Sequence, residues 1–444
     1  MDDPTRRSVL RGLSAAAVAA LTGLGAGACA RRPAAVGPGP TDPDFGSVGS
    51  GTISFWARSD TGPVPTQMVR RFNAAQSEIR VELTLIPGTQ QITKIATAIR
   101  GDSQPDVFAV DDFYATTLTY YKALTDVTEA VARLPFRDQL SKGMQQTLEL
   151  AGRTYGVPFA SDMSGLWYNK GLFERAGLDP AKPPTSFEAV VGAAKKITAA
   201  GGGARGFSFA GNCPGCMSFT AMPSVWAGGQ HLIDGEPGAQ RANLAGNEPL
   251  RAILSAYREL WTSNSSSQGS RTESGATWGA DFRNGRVGIL PGGYGTVVGQ
   301  VPDDKLAGFG LVPLPGPTGG RSTFTGGDVI AIPAGARNPS AAWKFIQFAL
   351  AEAQQLALPA IGFTPVRSDV LTSEYRKKYP LNAILLGLQD VGYIERSVAA
   401  GTIFNQPSGA WPTMITEAVF GGGVDPAIAT GQKQAQSALA EVTL

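Results

Sequence analysis

Short apolar runs alternate with helical patterns at the start of the folded part of the chain. Residues 52–57 form an apolar run typical of a buried strand, and Val81, Leu83 and Leu85 alternate with polar residues as in a second strand. A third apolar run covers residues 105–110. The segments between them repeat apolar side chains at helical spacing: Met68, Val69 and Phe72 in the first, Ile92, Ile95 and Ile99 in the second.

This order of strand, helix, strand, helix and strand predicts a parallel α/β sheet. Ligands of such sheets bind outside the carboxyl ends of the strands. Asp60 follows the first strand, and Asp111 and Asp112 follow the third. Adjacent residues of an extended chain point to opposite faces, so we expect only one of the pair, Asp112, to face a ligand.

Two later segments carry signals for the start of a helix. Thr185 stands three residues before Glu188, a spacing that predicts a capping box with Thr185 as the N-cap. Asn338 and Pro339 together predict a second helix, with the asparagine as its cap and the proline as its first residue.

The first 28 residues have the pattern of an export signal. Arg6 and Arg7 lie in a stretch that looks like a twin-arginine signal, although an ordinary Sec signal with paired arginines remains open. The apolar run 13–28 is shorter than the roughly 20 residues that a membrane span needs. Cys29 follows small residues, as in a bacterial lipobox, which predicts that it is lipidated. Residues 29–50, rich in proline and glycine, predict a flexible tether.

Composition restricts the function classes. The chain is 43% hydrophobic and 17% charged, with a formal net charge of +2, so it is globular and lacks the concentrated positive charge of a nucleic-acid binder. Its only histidine is His231, which excludes a zinc site with several histidine ligands. We expect no metal and no cofactor. A carboxylate-pair glycosidase, such as a secreted hydrolase of envelope glycans, remains an alternative.

Cys213 and Cys216 form a Cys-Pro-Gly-Cys pair. In an exported protein, a disulfide closing a tight loop is the favoured interpretation, and metal binding or redox chemistry is the alternative. No second cysteine pair is present to complete a four-cysteine zinc site.

Three blocks of the sequence resemble the extracellular solute-binding protein family that includes maltose-binding protein. Residues 155–187 contain Y-G-V-P, then Y-N-K-G-L-F-E-R-A-G-L, then P-P-T-S-F. Residues 282–289 read F-R-N-G-R-V-G-I, and residues 313–345 run from P-L-P-G to A-A-W-K-F. The blocks cover nearly the whole body, and the amino-sugar-binding branch of actinobacterial lipoproteins, the Usp type, is the nearest resemblance within the family.

The resemblance implies a two-lobed α/β fold, the type II periplasmic-binding-protein fold, with a hinge and a ligand cleft between the lobes. Residues 51–160 and 312–360 would form the N-terminal lobe, and residues 161–311 and 361–444 the C-terminal lobe. It implies a monomeric lipoprotein, not an enzyme, on the outer face of the cytoplasmic membrane. There it would capture a sugar, including an amino sugar or small oligosaccharide, for the permease of an ABC importer. A glycerophosphodiester is the alternative cargo.

A sugar site needs planar hydrogen-bonding groups beside flat aromatic surfaces. Each candidate also has a structural interpretation: a solvated turn for the acids, the core for the aromatic rings, and a surface salt bridge for the arginine. Glycine among them would let the backbone approach a ligand closely. The candidate ligand-binding residues are Asp60, Asp112, Asp162, Trp226, Trp278, Tyr294, Gly327, Asp328 and Arg367.

Overall fold

The computed structural model describes residue 45 and residues 49–441, with the side chain of residue 303 excepted. The predicted export signal, Cys29 and nearly all of the predicted tether therefore lie outside the described residues. Within the described part of the chain, no helix combines the length and apolar character needed to cross a membrane.

Strands and helices alternate through the described residues. The strands are β1 (Gly51–Arg58), β2 (Ile79–Ile86), β3 (Val107–Asp111), β4 (Glu149–Leu150), β5 (Arg153–Thr154), β6 (Val157–Asn169), β7 (Arg205–Phe207), β8 (Ile233–Asp234), β9 (Arg241–Ala242), β10 (Val287–Gly293), β11 (Phe309–Val312), β12 (Leu314–Pro315), β13 (Arg321–Ser322) and β14 (Thr325–Ala331).

The helices cover both faces of this sheet framework. They are α1 (Pro63–Ala75), α2 (Gly88–Arg100), α3 (Ala115–Tyr120), α4 (Thr128–Ala132), α5 (Lys142–Gln146), α6 (Lys170–Arg175), α7 (Phe187–Ala199), α8 (Pro214–Trp226), α9 (Glu248–Thr262), α10 (Ala280–Arg283), α11 (Tyr294–Val297), α12 (Asp303–Leu306), α13 (Pro339–Leu350), α14 (Glu352–Gln355), α15 (Ser373–Lys378), α16 (Pro380–Leu386), α17 (Ala410–Phe420) and α18 (Val424–Ala440). Two further turns matter for the site: a 3₁₀ turn at Asp112–Tyr114 and a π-helical turn at Gly401–Asn405.

The main sheet has eight strands in the order β2-β1-β3-β14-β6-β10-β7, with β11 also paired to β6. Strands β1, β2 and β3 are parallel, which confirms the parallel α/β sheet predicted from the sequence. Strand β14 runs antiparallel to both β3 and β6. The carboxyl ends of β1 and β3 therefore open on the same edge of the sheet.

Strand β6 belongs to both halves of this sheet. Its first half, up to Met163, pairs with β14, and its second half, from Ser164, pairs with β10 and β11. The sheet is thereby divided into two parts that share one continuous strand. This is the two-lobed α/β architecture that the family resemblance implies.

Aromatic rings pack in both halves of the sheet, within one continuous hydrophobic core. In the first half, the ring of Phe55 packs edge-on against Phe159 at 6.1 Å and Phe345 at 5.2 Å. In the second, Tyr257 stacks on Phe187 at 5.3 Å and meets Phe209 edge-on at 5.0 Å. Burying one such side chain stabilises the fold by about 1.5–3 kcal/mol.

The predicted helix starts differ in their outcomes. Asn338 caps α13, accepting a hydrogen bond from the Ala341 N–H at 3.3 Å, as the sequence predicts. The predicted cap Thr185 is wrong by one residue, because Ser186 caps α7 by accepting from the Ala189 N–H at 3.1 Å. Both residues carry a hydroxyl, so the sequence pattern does not distinguish them.

Gly206 gives a test of how closely α7 packs on β7. A Cβ at this position would clash with the backbone of Ala194 in α7. Gly206→Ala should therefore lower the free energy of unfolding by about 1–3 kcal/mol, measured by urea denaturation, because the helix must move away from the strand.

Gly192 lies in α7 itself and supplies the matched control. A Cβ at Gly192 meets no atom within 4 Å, so Gly192→Ala should leave stability unchanged or raise it by up to about 1 kcal/mol. Equal effects of the two substitutions would contradict the close packing of α7 on β7.

Candidate ligand-binding cleft

A cavity of about 840 Å³, here called the cleft, lies at the carboxyl ends of β1 and β3. Its volume is within the range of about 300–1,000 Å³ typical of small-molecule sites. Residues from both halves of the sheet framework face it. They are Arg58, Asp60, the residues 111–114, Asp162, Phe324 and Gly327, together with Gly88, Thr89, Ile92 and Thr93 of α2, the residues 212–216, Phe219, Ser274, Trp278 and the residues 405–408.

Arg58 joins three strands beneath the cleft. Its Nη1 lies 2.6 Å from Asp111 Oδ2, and its Nε lies 2.5 Å from Asp328 Oδ1. Asp328 also accepts a hydrogen bond from the Thr61 hydroxyl. Burial alone would lower the pKa of Arg58, but the charges of Asp328 and Asp111 raise it above its usual value. The guanidinium thus stays charged, with both of its carboxylate partners engaged.

Asp112 lies beside this ion-pair network and is 2% exposed. It accepts a hydrogen bond of 2.6 Å from the N–H of Gly327, which comes from β14. Burial, and then the neighbouring charge of Asp111, raise the pKa of Asp112 well above its usual value.

The expectation that only one of Asp111 and Asp112 faces the cleft is wrong, because both line it. The alternation rule applies to an extended chain, and the strand ends at Asp111. Asp112 begins a 3₁₀ turn, which rotates its side chain toward the same side as that of Asp111.

Asp162 is a carboxylate of the cleft that is available to a ligand. It lies near the middle of β6, where pairing passes from β14 to β10, and its side chain accepts no hydrogen bond from any residue that the structure describes. Burial raises its pKa to about 7, with Arg58 lowering and Asp328 raising the value. A hydroxyl or amine donor of a ligand would satisfy this carboxylate.

Aromatic rings form another wall of the cleft. Phe219 meets Phe324 edge-on at 5.5 Å and Trp278 edge-on at 6.3 Å. Phe113 packs against Phe324 at 5.5 Å from the other side. The rings pack against one another, and they line the same cavity as the carboxylates.

Cys213 and Cys216 occupy the wall formed by the start of α8. Their sulfur atoms are bonded, and their Cα atoms lie 5.2 Å apart. Cys213 is also the N-cap of α8, with its sulfur accepting from the Cys216 N–H at 3.3 Å. Both residues line the cleft, so this disulfide shapes one of its surfaces.

The arrangement can hold a polyhydroxylated molecule: carboxylates accept hydrogen bonds from its hydroxyls, and aromatic faces cover its apolar parts. Among the described residues, no cluster of three or more histidine, cysteine or acidic side chains could hold a metal ion.

Comparison with known proteins identifies the chain's relatives. Residues 58–356 match the model of the bacterial extracellular solute-binding protein family. The chain belongs to this family. The match spans both halves of the sheet and all of the cleft-lining residues except 405–408, so most of the cleft lies within the part of the chain that the family shares.

Individual relatives of this solute-binding protein are distant. A Brucella abortus protein described as a binding protein is 23% identical over 337 residues, which cover 75% of this chain and 79% of that protein. The sn-glycerol-3-phosphate-binding periplasmic protein of Shigella flexneri is 25% identical over 158 residues, 34% of this chain and 36% of that protein. The sugar-binding protein MalE of Xanthomonas citri shares the fold, with a TM-score of 0.76, 21% identity and coverage of 88% of this chain and 98% of that one.

Five of the nine predicted ligand-binding residues line the cleft of this solute-binding protein. They come from separate strands and loops that the fold brings together. They are Asp60, Asp112, Asp162, Trp278 and Gly327.

Two of the other candidates contact residues that line the cleft but do not line it themselves. Asp328 is 1% exposed and holds Arg58. Trp226 is buried, donates from Nε1 to Glu395 Oε1 at 2.8 Å, and stacks on Phe324 at 6.0 Å. Each therefore contacts a residue of the cleft rather than the cavity itself.

The remaining two candidates lie away from the cleft lining. Arg367 is 6% exposed, forms an ion pair with Asp369, and stacks over the ring of Phe136 at 3.9 Å. Tyr294 is 4% exposed and starts α11 within the core of the second half. The glycine-rich turn at Tyr294 suggested an exposed ring, but tertiary packing buries it.

Several cleft residues were not singled out from the sequence. Arg58 and Asp111 are the last residues of β1 and β3, so they belong to the same polar strand ends as Asp60 and Asp112. Residues 405–408 reach the cleft from a distant loop, and nothing in their sequence indicates it.

The disulfide should stabilise the first turn of α8. It closes a loop of only four residues, so Cys213→Ser/Cys216→Ser should lower the free energy of unfolding by about 2 kcal/mol. Serine at position 213 keeps an N-cap oxygen, which limits the effect to loss of the bond. Amide hydrogen exchange should accelerate at residues 213–218 and remain unchanged in α9.

Wild-type protein treated with a dithiol reductant is the matched control, and it should reproduce the double variant. Unchanged exchange at residues 213–218 in both samples would show that α8 holds its first turn without the bond.

Proposed function

We propose that this chain is the extracytoplasmic substrate-binding subunit of an ABC carbohydrate importer, which captures a sugar in the cleft and delivers it to the membrane permease. The observation that carries the proposal is that one cavity contains both a hydrogen-bond acceptor and aromatic surfaces. Asp162, with no protein donor among the described residues, faces the same space as the rings of Phe324 and Trp278. Sugars present hydroxyl donors around an apolar ring face, so they match both surfaces.

The charge of the cleft favours a hydroxylated cargo over a phosphate diester. Arg58 is the only cationic side chain among the described residues that line it, and its guanidinium is already paired with Asp111 and Asp328. Asp60, Asp112 and Asp162 add acidic groups to the same surface. A phosphate group would therefore meet like charge without an available cation.

The lobes of the proposed receptor follow the path of β6. Residues 51–160 with 312–360 form the N-terminal lobe, and residues 161–311 with 361–444 form the C-terminal lobe. Closure about the crossing strands brings α8 and residues 405–408 of the C-terminal lobe toward Asp60 and Asp112 of the N-terminal lobe. Support comes from β6, which pairs with β14 in its first half and with β10 and β11 in its second.

Lipidation of Cys29 anchors the receptor to the outer face of the cytoplasmic membrane in this proposal. Residues 29–50 tether the folded body close to the permease, and residues 1–28 direct export by the twin-arginine route. The receptor acts as a monomer, because handover to a permease requires one cleft. The basis is the sequence pattern of the first 50 residues.

The direct test is a tryptophan-fluorescence titration of the purified body, since Trp278 lines the cleft. The panel is maltose, mannobiose, glucosamine, chitobiose and glycerophosphocholine. We expect saturable binding of at least one sugar, with the sugar recovered intact. Asp162→Asn should weaken that binding by about 10- to 100-fold, the loss expected for a hydrogen bond to a charged group.

Glu395→Gln is the matched control for this titration. Glu395 is also a buried acid whose pKa burial raises to about 7, but it lies outside the cleft lining, and glutamine keeps the acceptor for Trp226. Its affinity should equal that of the wild type. Breakdown of a sugar would instead support the hydrolase alternative, and binding of glycerophosphocholine alone would overturn the choice of cargo.

The affinity should also depend on pH. A sugar hydroxyl donates to the ionised form of Asp162, whose pKa in the free protein is raised to about 7 by burial. Binding is therefore linked to loss of a proton, and affinity should rise between about pH 6 and pH 8. Titrations across this range should show the rise in wild type and in Glu395→Gln, and a flat profile in Asp162→Asn. A rise that persists in Asp162→Asn would assign the titration to another group.

A further inference from the structure

The disulfide between Cys213 and Cys216 lies in the wall of the cleft, where a small solute can reach it. Both cysteines line the cavity, and both are half-buried. We propose that this bond is a redox-responsive positioning element: it holds the wall in the arrangement that binds cargo, and its reduction weakens cargo binding. This rests on the proposed function of the cleft as a cargo site.

One side of the disulfide loop supports a segment that lines the cleft. A Cβ added at Gly275 would lie 3.3 Å from Cys216 Sγ and 3.4 Å from Cys213 Sγ, so the backbone of Gly275 rests on both sulfur atoms. The φ of Gly275 is +100°, a conformation that favours glycine. Just before the loop, the Asn212 N–H donates to the Glu273 carbonyl at 3.0 Å. The two segments are therefore held together at two points.

The supported segment is braced by one of its own carboxylates. Glu273 accepts hydrogen bonds from the Gly275 N–H at 2.7 Å and from the Thr277 N–H at 3.2 Å. Ser274 and Trp278 of the same segment line the cleft. Because the segment is held as a unit, a displacement of Gly275 by the sulfur atoms is passed on to the side chains that face the cargo.

The other side of the disulfide loop supports the π-helical turn and the residues after it. A Cβ added at Gly215 would lie 2.8 Å from Asn405 Oδ1, so the side chain of Asn405 packs directly on the loop. Further along α8, the Ser218 hydroxyl donates to the Phe404 carbonyl at 2.9 Å. Residues 405–408 line the cleft. The loop closed by the disulfide is thus packed between two cleft-lining segments that are far apart in sequence.

Reduction by a dithiol converts the bond into two thiols. A dithiol thiolate attacks one sulfur, which forms a mixed disulfide and releases the other cysteine as a thiolate. The second thiol of the reductant then attacks the mixed disulfide, so the reductant leaves as a cyclic disulfide and its two electrons and two protons remain on the cysteines. Sulfur atoms that are no longer bonded move apart to van der Waals separation. Their packed neighbours Gly275 and Asn405 must then shift with them.

This shift links the redox state of the bond to the affinity for cargo. The apparent Kd rises by the reciprocal of the fraction of molecules in which both wall segments are in the binding arrangement. By thermodynamic linkage, bound cargo must favour the oxidised form by the same factor. Since the cytoplasm keeps thiols reduced, the folded precursor would bind cargo weakly before export and gain affinity once the bond forms outside the membrane.

The first experiment requires no cargo. A protein of residues 30–444 lacks the export signal and Cys29, so it keeps two of the three cysteines and a dithiol acts on this bond alone. Amide hydrogen exchange with dithiothreitol should be faster by about threefold or more at residues 273–278 and 405–408 than without it, and α9 should be unchanged as the reference for an intact fold. Faster exchange confined to residues 213–218 would overturn the positioning role.

The second experiment compares cargo binding by the two forms. Oxidised and dithiothreitol-treated protein are titrated calorimetrically with maltose, mannobiose, glucosamine and chitobiose. For a sugar that binds, reduction should weaken affinity about fivefold or more, as when the binding arrangement falls to about one fifth of the molecules. Saturation with that sugar should raise the ratio of reduced to oxidised dithiothreitol at half-reduction by the same factor, a change that a bond serving only stability would not show.

Cys213→Ser/Cys216→Ser is the control for the reductant. It should bind the sugar as weakly as reduced wild type, both with and without dithiothreitol, and an effect of dithiothreitol that persists in it would overturn the assignment to this bond. Equal affinity of oxidised and reduced wild type would overturn the redox response and leave the cargo-binding function intact. If no sugar binds to either form, the proposed function fails, while hydrogen exchange still decides whether the bond positions the wall.

Discussion

The ion pairs of Arg58 hold together the part of the molecule on which the cleft depends. One guanidinium at the end of β1 contacts Asp111 at the end of β3 and Asp328 in β14, so it fixes three strands relative to one another. Loss of one partner of a buried ion pair typically costs about 3–5 kcal/mol, because the other charge is left uncompensated. The pairing also determines the electrostatics of the site. Since Arg58 is already neutralised, the remaining acids of the cleft act as acceptors for ligand donors.

Local sequence patterns are sufficient to predict the strands and helices that form this edge of the sheet. β1, β2 and β3 all form where alternation and apolar runs predict them, and Asn338 caps α13. Such elements depend on burial and capping, which are determined by near neighbours in the chain. The same reasoning correctly placed polar side chains at the ends of β1 and β3, because every parallel strand ends on the same edge.

The remaining features depend on distant parts of the chain, and local patterns do not contain that information. Asp111 and Asp112 both face the cleft because a 3₁₀ turn begins between them, which strand alternation does not anticipate. Trp226 and Tyr294 lie in glycine-containing segments of the sequence. Their burial depends on partners far away in sequence, Glu395 in the first case and the core of the second half in the other. Residues 405–408 reach the cleft because the π-helical turn at Gly401–Asn405 packs against α8, α17 and α18.

The contrast between Asp328 and Asp162 explains why one acid of this region is structural and the other is available to a ligand. Asp328 has its donors supplied by Arg58 and Thr61, so its charge is satisfied within the protein. Burial raises the pKa of Asp162, which has no such donor among the described residues, so its ionised form lacks a hydrogen-bond donor until a ligand provides one. A donor from the ligand recovers part of that desolvation free energy, and it recovers more when the cleft closes and water leaves. Selectivity for a donor-rich, uncharged molecule then follows from the cleft itself.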